Sequence, residues 1–509
     1  MNPQGNKTRL DLPSLIISGS ALTIFVIFSF INADFVANAV DYLFGLSVTY
    51  FGTLYQLVLL GTFLIAIVLG FSKFGKIRLG NMDKPEMSTF KWISIIMCTL
   101  LAAGGVFWAA AEPLSHFLTV PPMFPDVEAG TMEAIAPALA TSFVDWGFLA
   151  WTVLGTLGTI VLMYAHYHKG MPLKPRAFLY PILGKKIMKK SVFGTLVDSF
   201  SIIAVAAGTI GPIGFLGLQA SYGLSRLTGL GDTLAVHITI IIILVVGAAI
   251  SAATGIHKGI QILSTFNVFL AVLLMIGVLL LGPGMFIFNH WFESLGLYVN
   301  DFLALNTFRG DEAWLGAWTT FFFAWFVGYG PMMALFTSRI SRGRTIRELV
   351  LAVAVISPIV TTFWFTVIGG TGISQELNNP GVISTALNEA GPPAAMMAIT
   401  ENLPFGTIFG ALFLLTTTIF VLTTTDSMSL TISMAISGNG EPPKVLRVFF
   451  ALLMGVVAIV LVTIGEGSIN ALQSFIVVTA VPVVLLLLTT FWTAPKVAKI
   501  MYNDQFNKK

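Results

Sequence analysis

The sequence predicts an all-α polytopic membrane protein with twelve transmembrane helices, and three observations carry that prediction. The 509 residues are 56% hydrophobic and only 10% charged, with a mean hydropathy of +0.88. A soluble domain carries roughly a quarter charged residues, so most of this chain belongs in lipid. Apolar stretches of bilayer-spanning length, roughly 20 residues, recur near 12–32, 48–71, 90–112, 141–165, 194–224 and 235–255, then near 258–288, 313–338, 348–372, 404–436, 445–465 and 468–494. The third observation is charge asymmetry. With the N-terminus in the cytoplasm, every lysine and arginine except Arg226 and Arg309 falls inside. Asp34, Asp41, Asp126, Glu128, Glu133, Asp311 and Glu312 fall outside. The expectation is a multi-pass protein of the cell inner (plasma) membrane with both termini cytoplasmic.

Composition also narrows the chemistry. The single cysteine, Cys98, excludes an intramolecular disulfide and a cysteine metal cluster. Among six histidines only His166 and His168 are close, and they sit beside a basic loop, so no metal centre is expected. The net charge is +3, and no nucleic-acid partner is expected. The first apolar run lacks a small-residue cleavage site, which argues for a span and against a signal peptide.

In chain order, residues 1–89 form an N-terminal tail and spans one and two, and 90–288 a first five-helix group. An interfacial amphipathic helix takes 289–312, a second five-helix group 313–494, and a short cytoplasmic tail 495–509. Residues 291–307 and 381–402 mix apolar and polar side chains without a spanning run, the pattern of interfacial helices. Because each group has an odd number of spans, two such repeats would be inverted with respect to one another in the membrane.

Span three (CTLLAAGGVFWAAAEPL) is rich in small residues that let backbones approach closely. Glu112, near its outer end, is expected to reach water in a structural role. Span four carries DWGFLAW, with Trp146 and Trp151 five apart and not quite on one face. Asp145 there is an ionisable group at membrane depth, which marks a pathway or a pair unless the helix end solvates it. Span five carries Asp198 and the flexible run GTIGPIGFLG. Span eight has Trp318, Phe322, Trp325, Phe326 and Tyr329 on one helical face. The run Gly328-Tyr329-Gly330-Pro331 is expected to weaken that helix halfway across, and Arg339, Arg342, Arg344 and Arg347 close it as a cationic cuff. Such stripes usually fill cores or face lipid, but interfacial belts do not run through mid-span. Stacked rings attract a quaternary ammonium by about 0.5–2 kcal/mol each. Span ten carries Thr423, Thr424, Thr425, Asp426 and Ser427. These hydroxyls either bond back to their own helix or, with the acid, hold an alkali cation.

The runs SRISRGRTIREL, WTTFFFAWF, FWAAAEP and KGIQILS together resemble the betaine/choline/carnitine transporter (BCCT) family, over about Leu12 to Ala494. The resemblance implies a LeuT-type five-plus-five inverted-repeat core in spans three to twelve, with two extra N-terminal helices. It also implies alternating access and a homotrimer. Carried over by position, the substrate box would comprise Trp146, Trp151, Trp325, Phe326 and Tyr329, with Met333 one turn on. A sodium site would use Phe420, Thr423 and Thr424 with the span-three backbone near Cys98 and Leu101. Gln261, where sodium-independent exchangers place a nearby arginine, favours cation coupling. Three departures stand out: Leu100, Ala102 and Gly104 stand where sodium-coupled betaine members show glycines two apart, Phe326 and Tyr329 replace tryptophans, and Asp145 replaces a histidine. The short tail predicts no osmosensing of the long-tailed kind.

The resulting expectation is a sodium-coupled importer of a betaine-, choline-, carnitine- or dimethylsulfoniopropionate-like substrate, with no cofactor besides sodium and membrane lipid as its surroundings. Substrate/product exchange and proton symport, the latter through Asp145, are the alternatives. A membrane-embedded enzyme would need a catalytic cluster facing a loop, and a channel would need repeated charge or carbonyl rings. The sequence offers neither.

Overall fold

The computed structural model describes residues 10–101, 104–188, 191–254, 257–437 and 442–507. The side chains of 98–101 and 257–261 are outside the described residues, and with them those of Cys98, Leu101 and Gln261. The regular elements among the described residues are helices, and eleven of these are long and apolar enough to cross a membrane. The remaining expected span, span three, is represented by Thr89–Leu101 and Gly104–Leu118, of 13 and 15 residues. Each is too short to cross a bilayer by itself, so a continuous twelfth helix is not established.

Burial sorts the spans into an inner and an outer set. Over one apolar 18-residue stretch of each, spans four (Met132–His168), five (Val192–Thr228) and eight (Glu312–Ile340) have 94%, 94% and 89% of residues buried, while spans one (Leu12–Ile31), six (Leu234–Thr254) and seven (Ile262–Leu281) have 28%, 28% and 22%. Exposed Ile243, Phe269 and Leu280 on the outer set face where lipid would lie, so the polar chemistry must be sought on spans four, five and eight. Helix packing maps onto itself when spans three to seven are exchanged for eight to twelve. Span four packs on eight as three packs on nine, five on twelve as ten on seven, and six on ten as eleven on five. Two inverted five-helix units would produce this pattern.

Two inner spans are broken, though not where the sequence indicated. Span four is three helices, Ile135–Trp146, Phe148–Gly155 and Leu157–Met163, ending in a π-turn at Tyr164–His168. Its first break is Gly147 (φ −94°, ψ −132°), where a Cβ would stand 2.2 Å from the Phe143 carbonyl oxygen. Span eight breaks at Trp318 (φ −122°, ψ −96°), between Glu312–Ala317 and Thr319–Ile340. The expected weakening at 328–331 does not interrupt it. Helix Thr319–Ile340 runs through Pro331 because dense packing on spans two, four, five and twelve outweighs one lost backbone bond.

Several boundaries also differ from expectation. Span two extends over Ala33–Phe71, capped by Asn32 (3.0 Å to the Phe35 amide), so Asp34 and Asp41 ride on a helix and not in a loop. Span seven ends at Leu281, and the interfacial helix already begins at Gly284, after Pro283. The expected polar tail is a helix, Thr490–Tyr502, with Val497 and Met501 buried. Gln505 beyond it exchanges two hydrogen bonds, 3.0 and 2.7 Å, with the backbone of Arg78.

The arginine cuff is a latch. The Arg344 guanidinium donates to Met87 O (2.7 Å) and Thr89 Oγ1 (2.9 Å) and lies 4.6 Å over the Trp92 ring. Arg342 pairs with Glu86 at 2.7 Å, and Arg347 donates to Gly70 O at 3.1 Å. Main chain reinforces them, with Leu79 N donating to Arg344 O and Gly343 N to Leu79 O, both 2.8 Å. Gly343 (φ +77°) is required here, since a Cβ would lie 2.0 Å from Lys84 O.

Candidate aromatic site

Rings from spans four and eight converge where the two halves of span three meet. The Trp146 ring is edge-on to Phe326 (5.2 Å between centroids), Phe322 (5.4 Å) and Trp325 (5.9 Å). Gly104 lets main chain into this group: a Cβ there would stand 2.7 Å from Trp325 Cη2 and 2.9 Å from Trp146 Cη2.

Each indole is aimed by a hydrogen bond. Trp325 Nε1 donates to Gly208 O at 3.0 Å. That carbonyl would ordinarily accept from the amide four residues on, but residue 212 is proline and has no N–H. Pro212 thereby frees the acceptor that Trp325 takes. Gly208 also lets the Tyr329 ring approach span five closely, and the Tyr329 hydroxyl meets Thr209 Oγ1 at 3.1 Å. Trp146 Nε1 donates to Glu112 Oε2 at 2.7 Å. The Trp146 ring is in direct contact with its three neighbours, leaving no room for a cation between them in this conformation.

The six expected substrate residues are not all brought together. Trp146, Trp325 and Phe326 are in mutual contact, Tyr329 adjoins Trp325 through Gly208, and Met333 is buried one turn further along span eight. Trp151 lies elsewhere. Its Nε1 donates to Thr361 Oγ1 at 2.9 Å, and it packs with Leu157, Ile160 and Val353 in a separate core group. Five residues already turn a straight helix by roughly 140° net, and the Gly147 break intervenes. Phe322, on the aromatic face but outside the expected box, touches both Trp146 and Trp325.

At the expected cation site, Phe420 is buried and the Thr423 hydroxyl turns back to Ile419 O at 2.8 Å, while Thr424 is half-buried. Asp426 beside them is paired with Arg447 at 2.9 Å, so its charge is already balanced within the protein. Asp198 is likewise taken by Arg176 at 2.6 Å. Arg176 and Lys174 also bind Asp11 at the start of span one. Burial alone would raise the Asp11 pKa, but these two cations outweigh it and hold the carboxyl below its usual value.

Glu112 is the residue the sequence reading misplaced. It does not reach water: it is fully buried, one turn from buried His116 and close to Asp145. Its signal in the sequence was an acid followed four residues later by histidine inside an apolar helix.

A family model, the betaine/carnitine/choline family transporter (BCCT), matches residues 13–503. Glycine betaine transporter 2 of Vibrio parahaemolyticus is 49% identical over 507 residues, covering 99% of this chain and 94% of that protein. The ectoine/hydroxyectoine transporter of Virgibacillus pantothenticus is 33% identical, covering 96% and 97%. A probable glycine betaine transporter of Desulfitobacterium hafniense is 30% identical, covering 95% and 96%.

Proposed function

The chain belongs to the betaine/carnitine/choline transporter family, and from that premise we propose that it imports a glycine-betaine-like zwitterion by alternating access. One observation supports the reading above the others. Three aromatic rings from two spans, Trp146, Trp325 and Phe326, converge on the main chain of a third at Gly104. Ring faces in a dry site attract an onium group without a carboxylate that would need desolvating. Motion of span three against spans four and eight would open such a box. The names of the similar transporters, for glycine betaine and for ectoine, agree with a compact organic cation as cargo.

Sodium coupling belongs to the same proposal. It rests on the half-buried Thr424 and on Thr425, whose buried hydroxyl has no hydrogen-bond partner, beside Thr423 on span ten. The cytoplasmic placement of the basic end and assembly as a homotrimer belong to the proposal too. Uptake of labelled glycine betaine into proteoliposomes, with sodium replaced by potassium, tests the coupling, and uptake indifferent to the exchange removes it. Trp325→Leu tests the box. Loss of one ring's cation–π attraction, about 0.5–2 kcal/mol, weakens binding about 2- to 30-fold. A folded variant with unchanged affinity takes Trp325 out of the site.

A further inference from the structure

We propose that Glu112, Asp145 and His116 form a buried proton-binding site, linked through Trp146 to occupancy of the aromatic box; the linkage rests on the box being the substrate site. The titrating atoms of the three side chains lie within 4.8 Å of one another. Glu112 and Asp145 are 0% exposed and His116 1%. Glu112 and His116 share a face of span three, with His116 Nε2 3.7 Å from Glu112 Oε1, and Asp145 comes from span four. The groups facing them are uncharged: the Thr319 hydroxyl from span eight beside Asp145, Ser142 beside Glu112, and the Tyr298 phenol from the interfacial helix. The Trp318 and Trp314 rings lie 4.5 and 5.7 Å from His116. No lysine or arginine pairs with any of the three among the described residues.

Hydrogen bonding in the cluster is incomplete in a way that calls for a proton. Glu112 Oε2 is satisfied by Trp146 Nε1. Glu112 Oε1, both Asp145 oxygens, His116 Nε2 and Thr319 Oγ1 make no hydrogen bond of acceptable geometry, although they are neighbours. Buried acceptors without donors are costly, and two carboxylates this close without a cation cannot both stay ionised. One added proton resolves both problems. A hydronium at the acidic end of the bundle gives its proton to an Asp145 oxygen, leaving water. The new O–H donates to Glu112 Oε1, and Glu112 stays anionic under Trp146. The reverse step returns the proton to water, and no other bond changes. His116, beside the partly exposed Trp314 and Trp318, lines the site next to Glu112 and is unchanged in both steps.

The sign of the linkage follows from charge. An onium group against Trp146 favours the doubly ionised pair and so expels the proton. Reciprocally, a protonated pair weakens onium binding. For one proton, affinity rises with pH by at most about tenfold per unit.

The test uses the purified full-length protein with glycine betaine as probe. Calorimetric binding is measured from roughly pH 5 to 9, and a pH-indicator dye in weak buffer counts protons released on saturation. The expected result is up to about one proton released per protomer and a Kd that falls with rising pH. In Asp145→Asn the Kd should stay within about twofold over the same range. Should that variant fail to fold, the wild-type proton count decides by itself. Saturable binding with no proton release and a constant Kd overturns the linkage alone, whereas no saturable binding at any pH overturns the box and the linkage with it. A divalent cation retained by wild type after chelator dialysis, and lost in Asp145→Asn, overturns the proposal in favour of a metal site.

Discussion

Replacing Gly208 by alanine tests how the box is held. The added Cβ would stand 2.4 Å from Tyr329 Cε2, 2.7 Å from Cδ2 and 3.3 Å from Trp325 Cδ1. Carbon atoms settle at roughly 3.5–4.0 Å, so the phenol ring must retreat by about 1 Å. It cannot do so freely, because its hydroxyl is bonded to Thr209 and its neighbour Trp325 to the Gly208 carbonyl. Overpacking of this kind costs about 1–3 kcal/mol, and alanine's helix preference offsets up to about 1 kcal/mol. The net loss of stability is therefore about 0–3 kcal/mol, leaving a folded protein. Two walls of the box move together, and we expect glycine betaine affinity to fall about 5- to 30-fold, or about 1–2 kcal/mol. Calorimetric binding and thermal unfolding in one detergent measure both quantities. Gly296→Ala is the control: it lies exposed on the interfacial helix with nothing within 4 Å of its Cβ position, and should bind like wild type. Wild-type affinity in a folded Gly208→Ala protein would refute the placement of Tyr329 and Trp325 in the site. An equal loss in Gly296→Ala would refute the steric argument.

Three further outcomes follow from geometry elsewhere. Arg447→Met removes the 2.9 Å ion pair to the buried Asp426 carboxylate and should cost up to about 3–5 kcal/mol, part of it recovered in the Asp426→Asn/Arg447→Met double variant, as read by thermal unfolding. Gly343→Ala forces a methyl against Lys84 O and should open the latch, seen as faster proteolysis within residues 77–92 while the transmembrane core stays protected. Asp11 has its pKa lowered by Lys174 and Arg176, so its contribution to stability is present above the usual carboxylate value of 3.8 and lost as pH falls through the lowered one. Hydrogen exchange at the start of span one should accelerate over that acid window in wild type and show no such step in Asp11→Asn.

What the sequence made legible is what a bilayer imposes on local composition. The run of apolar membrane-spanning stretches and the aromatic face of span eight read directly. Trp146 and Trp325 meet as expected because both are mid-span aromatics on helices that pack together. The misreadings come from contacts between residues far apart in the chain. Asp426 looked available until Arg447 on the next span closed on it. Glu112 looked near water until burial beside Trp146 and Asp145 placed it inside. Trp151 was carried to another core group by turns about Gly147 that periodicity assumes away. Helix breaks at Trp318 and Gly147 escaped notice because the conspicuous breaker, Pro331, lies in a helix that its neighbours hold intact.

The bond from Trp325 to Gly208 also ties the orientation of one indole to the relative position of two helices. The acceptor is a main-chain carbonyl, so no side chain of span five makes the bond itself. Pro212, which never touches the indole, cannot be exchanged freely, since any other residue brings back a competing amide. A sliding motion of span eight along span five must carry the bond intact or break it. Breaking it would change the hydrogen bonding of a single indole, and that tryptophan's fluorescence and N–H stretching frequency would then register the motion of the helices without any label attached.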